Sequence, residues 1–146
     1  KGLTMIAKGT FSIRVTPMEL KDKANEESSV QHMHFEKTFT GELSGKSMGT
    51  MLTTMTNIKG SAGYVAQERV QAQLSGKTGS FVLQHYGMMN RGMEKLILEI
   101  IPDSGTEWFT GISGEMHITM QNARHHYELI YSISEKQVDR DKSKGL

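Results

Sequence analysis

Cysteine is absent from the chain, which excludes disulfides, thiolate metal sites and cysteine nucleophiles together. No apolar run approaches the ~20 residues that cross a bilayer as a helix, and the opening residues carry no long apolar stretch of a signal peptide. A cytoplasmic protein with no membrane partner is therefore expected. A surplus of one charge is missing too: 17 Lys and Arg stand against 16 Asp and Glu, spread without a basic block. Nucleic acid finds no electrostatic footprint there. Proline occurs only at Pro17 and Pro102. Also missing are a serine nucleophile elbow, a phosphate loop, a dinucleotide fingerprint and a zinc-protease motif. An enzyme built from this chain would work with carboxylate, imidazole and shape, and nothing calls for a cofactor.

What is present is strand composition. The 146 residues suit one core, read as a single domain over 1–134 followed by a charged tail over 135–146. From Thr4 to Val15, Phe11, Ile13 and Val15 alternate with Thr10, Ser12 and Arg14, and Pro17 is expected to close the run. Residues 19–29 form the one long polar connection. From Val30 to Thr40, Met33, Phe35 and Phe39 share one face and His32, His34, Glu36 and Thr38 the other. "FTGELSGKS" (39–47), "VQAQLSGKT" (70–78) and "FTGISGEMH" (109–117) repeat an apolar residue followed by Ser-Gly. Ser-Gly reads as hairpin chemistry, because glycine supplies the positive φ of tight turns. "NIKGSAG" (57–63), "NRG" (90–92) and "QNAR" (121–124) supply further reversals, and "PDSGTEW" (102–108) a longer one.

About eight strands in series leave two open edges unless the sheet closes, and eight is the number at which closure leaves room for side chains or one small ligand. The fold class expected is all-β: a closed antiparallel eight-stranded up-and-down barrel. A two-sheet sandwich is the alternative, disfavoured because several runs reach ~10 residues.

Several polar residues sit awkwardly on such a wall. In "SAGYVAQERVQAQL" (61–74), Glu68 shares its parity with Tyr64, Ala66, Val70 and Leu74, so it points inward and needs a partner. The next run, "GKTGSFVLQHYG" (76–87), brings Gln84 or His85 to its level, and alternation alone leaves open which of them faces in. Either role fits, a pair that fixes strand register or a contact to a ligand. Glu99 is a second candidate, although an outward charge on an exposed sheet face is the favoured reading. Tyr127 and Tyr131 offer an apolar body with a hydroxyl tip, useful to a ligand or to a core. Trp108 follows the long turn, where it could cover one mouth of the barrel or merely plug it. "HMHFE" (32–36) sets His32, His34 and Glu36 on one face, but they span roughly 13 Å at ~3.3 Å per residue, too far for one ion to be held by all three. No metal site is assigned.

"KTFTGELSGKS" (37–47), "AQERVQAQLSGKTGSFVLQHYG" (66–87), "IIPDSGTEWFTGISGEMHI" (100–118) and "YELIYSI" (127–133) closely resemble a bacterial family, the domain of unknown function three-two-two-four. The resemblance implies an allene-oxide-cyclase-like, calycin-like barrel and no established activity; fold alone is a weak warrant for chemistry. The leading expectation is a barrel that binds a small apolar or amphipathic molecule near Glu68, Gln84, His85, Tyr64, Tyr127, Trp108 and Glu99. An isomerase-, cyclase- or lyase-like enzyme using Glu68 with His85 or Gln84 is the alternative. A filled barrel serving only assembly is the third. The eleven methionines supply pliable apolar surface, and a homo-oligomer, a dimer first, is expected to cover part of it.

Overall fold

The computed structural model describes residues 3–18 and 30–133; the expected connection over 19–29 and the tail over 135–146 lie outside the described residues. Among the described residues nine strands follow one another: β1 (Thr4–Met18), β2 (Val30–Gly41), β3 (Leu43–Met55), β4 (Ala62–Leu74), β5 (Lys77–Asn90), β6 (Met93–Ile100), the two-residue β7 (Thr106–Glu107), β8 (Ser113–Gln121) and β9 (Arg124–Ser132). The order β4-β3-β2-β1-β9-β8-β6-β5, with β4 paired again to β5, closes an antiparallel barrel of eight strands; β7 is a small addition on β5. Closure removes the open edges that a meander would expose.

Three of the reversals are two-residue hairpins, Ser75–Gly76, Arg91–Gly92 and Asn122–Ala123, with positive φ at both positions. That sign matches the twist of the flanking strands. Of the three Ser-Gly pairs only Ser75–Gly76 makes a turn. Gly45 and Gly114 lie inside β3 and β8, where a Cβ would fall 2.3 Å from the Gln71 carbonyl and 2.1 Å from the Ile130 carbonyl. Those glycines serve close approach of neighbouring backbone, a use that sequence spacing does not distinguish from a turn. Nor does Pro17 end β1, which runs on to Met18. The β1–β9 ladder stops at Phe11 and His125, leaving β1 a partner on one side only, where a sheet tolerates proline.

The barrel has two unlike ends. At the closed end Leu43, Val70, Phe81, Leu83, Phe109 and Leu129 are buried in one apolar cluster, and the segment 101–112 folds beneath them. Tyr127 belongs to this end: its hydroxyl accepts from the Leu43 N–H (3.0 Å) and donates to the Leu43 carbonyl (2.7 Å), tying down the β2–β3 turn. Trp108 stands edge-on to Phe109 there, with the Lys77 ammonium 5.6 Å from its ring. The other end is flared. β6 and β8 are joined by one residue pair, Glu99 and Glu115, and the far half of β1 has left β9. Ile13 and Val15, on the inward parity of β1, stay exposed as a result.

Candidate functional site

Midway along the barrel the inward face turns from apolar to ionic. Glu68 on β4 has no exposed surface, and its carboxylate is fully engaged. Oε1 accepts from Lys37 Nζ on β2 (3.0 Å) and lies 2.8 Å from His85 Nε2 on β5; Oε2 accepts from Ser47 Oγ on β3 (2.6 Å). Burial pushes the Glu68 carboxyl up. The His85 hydrogen bond, the Lys37 charge, the His85 charge and the Ser47 hydroxyl outweigh it, and hold the group below the usual carboxylate range. An ionised carboxylate only accepts, so His85 Nε2 carries a proton. The other ring nitrogen, Nδ1, is 2.9 Å from the Tyr64 hydroxyl: a neutral imidazole accepts the phenol's proton there, and a charged one donates to the phenol oxygen. Burial first, and the negative Glu68 second, push the Tyr64 phenol up to about 12.

Register explains how four strands converge. Gly49 stands opposite both Phe35 and Glu68, and Gly87 stands opposite Tyr64. A Cβ on Gly49 would come within 2.1 Å of the Phe35 ring, and one on Gly87 within 2.3 Å of the Tyr64 ring. Each missing side chain lets an aromatic ring lean across the inner wall. Tyr64 thereby reaches His85, and Phe35 approaches the His85 ring at 5.9 Å. The Lys37 ammonium lies 4.5 Å from the Phe11 ring centre and 5.5 Å from that of Phe35, so its second set of neighbours is aromatic.

Beyond Tyr64, toward the flared end, a pocket of about 160 Å³ is lined by Thr53, Ala62, Tyr64, Gly87, Met89 and Leu96, with the ends of β5 and β6 completing it. Glu68 and the rest of the network lie behind Tyr64, so the phenol is the member of the network that lines this pocket.

Cross-strand register settles which residue of "FVLQH" faces in: His85, opposite Ala66, is inward, and Gln84, opposite Gln67, faces out, where it accepts from the Gln67 amide at 3.0 Å. Glu99 is also outward, opposite Gln84 on one side and Glu115 on the other. Tyr127 and Trp108 are at the closed end, away from the pocket. Of the residues expected at the site, Glu68, His85 and Tyr64 are brought together; Gln84, Glu99, Tyr127 and Trp108 are not. Lys37 and Ser47 were missed. The signal for Lys37 was its parity, between Phe35 and Phe39 on the inward face of β2. His32, His34 and Glu36 point outward, and Glu36 is bonded to Arg14 at 3.3 Å. Among the described residues no group of three His, Asp or Glu is placed to hold a metal ion, and no helix is long and apolar enough to cross a membrane.

Comparison with known proteins adds a family without a chemistry. The model of a family described as protein of unknown function (DUF3224) matches residues 7–131. Among solved structures the chain is similar to the crystal structure of a protein of unknown function from that family, from Shewanella oneidensis MR-1. The two are 40% identical with a TM-score of 0.83, over 90% of this chain and 99% of the other. None of the curated proteins matches.

Proposed function

We propose that this chain, which belongs to the DUF3224 family of proteins of unknown function, binds a small apolar or amphipathic molecule at the flared end of its barrel. The observation that carries the reading is Tyr64: a phenol held by His85 at the wall of a pocket whose other lining includes the apolar Ala62, Met88, Met89 and Leu96 together with the charged Glu94 and Lys95. The pocket's volume is close to that of an engineered cavity of ~150 Å³ that takes benzene. A ligand seats one ring or short aliphatic portion there and places a hydroxyl or carbonyl against Tyr64. Glu68 is completely buried and fully bonded, so the polar contact passes to Tyr64. Methionine at the rim suits a ligand of variable shape.

A second reading rests on the line Tyr64–His85–Glu68, in which a proton donated at the phenol is replaced through the imidazole. It makes the protein an isomerase-, cyclase- or lyase-like enzyme. Native mass spectrometry of the protein purified from its own host tests the first reading. A small-molecule mass that disappears on denaturation, and is missing from Ala62→Trp at unchanged secondary structure, supports it. A bare mass for the wild type, with no rise in Tm on adding small aromatic or aliphatic alcohols and ketones, sinks it. Turnover of the identified compound that is lost in Tyr64→Phe while binding persists would select the second.

A further inference from the structure

The outer wall of the flared end carries an apolar row that the inner site does not use. Leu52, Val65, Tyr86 and Ile97 stand directly opposite one another across β3, β4, β5 and β6. They are 47%, 48%, 43% and 37% exposed, high values for large apolar side chains aligned in register. Val30 and Met88 continue the surface on the flared side of the row, and Met48 lies on the other. From β2 to β6 the face is about 19 Å wide, and from Gly63 to Arg69 about 20 Å tall. Within it the apolar row is bordered by Thr50, Gln67, Gln84 and Glu99, an apolar strip with a polar rim of the kind that interaction sites carry. The outer faces of β8 and β9 are different, carrying Glu115, His117, Thr119, His126 and Glu128.

The relief of the face says what fits it. Gln84 and Tyr86 form a ridge with a groove on each side. One groove, about 580 Å³, runs over Thr50, Leu52, Val65 and Gln67. The other, about 390 Å³, runs over Ile97, Glu99, Ile101 and Pro102. A ridge beside a groove is self-complementary under a two-fold rotation, because the ridge of each copy enters the groove of the other. Charge permits it: Glu36 is already paired with Arg14 of β1, and Arg69 and Lys95 stand with Glu99 on the rest of the face, so two copies meet with little net repulsion and a strongly charged partner gains little. The polar pair at the centre, Gln67 and Gln84, already shares a hydrogen bond, which reduces the cost of covering it.

We infer that this face is an interface with a second copy of the chain, an isologous dimer in which Tyr86 of each copy inserts into the groove over Leu52 and Val65 of the other, with the two-fold axis passing near Gln67 and Gln84. The inference does not rest on the ligand reading: Leu52, Val65 and Tyr86 do not line the pocket beside Tyr64, although Met88 and Lys95 border both sites.

Sedimentation equilibrium of the full chain tests it, with three variants. The wild type is expected at twice the chain mass. Tyr86→Arg weakens association about thirtyfold, the loss typical of a central aromatic anchor. Thr119→Arg, on the polar outer face of β8, leaves the dimer unchanged. Because the chain has no cysteine, Gln67→Cys provides a clean second measurement: a short bismaleimide joins two copies at the axis, and this holds even if Tyr86→Arg does not fold. A wild type that stays at one chain mass at its highest soluble concentration overturns the proposal and leaves the face to a different partner. So does a dimer that Tyr86→Arg leaves intact and that Gln67→Cys fails to cross-link.

Discussion

Leu83 and His85 are two residues apart on the inward face of β5, and they stand in different environments. Leu83 lies in the apolar cluster of the closed end, where burial of hydrocarbon holds the strands together. His85 lies where Glu68, Lys37, Ser47 and Tyr64 converge, and the inner wall is held by hydrogen bonds and charge. The difference is one of tolerance. Hydrocarbon packing loses contacts in proportion to what is removed, whereas a buried ion pair leaves an uncompensated charge when either partner goes. The half that carries the candidate site is the less forgiving half.

The largest effect is expected from breaking the pair. Glu68→Gln keeps the shape but leaves the Lys37 ammonium buried without its counter-ion, a cost of about 3–5 kcal/mol. Urea denaturation followed by circular dichroism measures it; a loss under 1 kcal/mol would show that the two halves do not differ in this way. Leu83→Ala in the closed half is expected to cost about 2–5 kcal/mol through the cavity it leaves, read from the same denaturation curves. Replacing the whole pair sharpens the contrast. Lys37→Met with Glu68→Leu is expected to recover most of the single-variant loss, because an apolar pair of similar volume is often neutral or better. It also removes a pH dependence. The folded Glu68 carboxyl lies below its ordinary 4.5, so its contribution is present above that value and fades as pH falls through the folded one. Stability of the wild type should drop on acidification below about pH 5, and the double variant should drop less. The smallest effect belongs to Tyr64→Phe, about 1 kcal/mol for one hydrogen bond. An absorbance titration of the same variant should lack the phenol that resists ionisation up to about 12.

Much of this contrast was legible beforehand, for a reason that also marks its limit. Parity along a strand follows from the pleat, so the inward direction of Glu68 and the polar face of His32, His34 and Glu36 can be read from alternation. The barrel follows from strand number and the need to cover edges. Parity becomes ambiguous where both alternatives contain apolar residues, as in "FVLQH", and register then decides in favour of His85. Lys37 was hidden by expectation rather than by pattern, because a lysine between two phenylalanines is easily assigned to solvent. Ser47, Gly49 and Gly87 acquire meaning only through cross-strand partners, which no local window contains. The Ser-Gly repeats misled for the same reason: Gly45 and Gly114 answer to backbone on another strand. Tyr127 looked like a ligand contact, and its hydroxyl serves a turn more than 80 residues earlier.

The seam between β1 and β9 has a kinetic meaning. Pairs such as Thr4 with Ser132 and Ala7 with Leu129 join the two ends of the barrel sequence, whereas β2 through β6 zip together as consecutive hairpins. Loop closure must be paid in entropy before such distant contacts reward it. A curled sheet can therefore assemble from local pairings with β1 and β9 still apart, and the β1–β9 seam is expected to close last. Until that meeting, both edge strands offer unpaired backbone to any neighbouring chain.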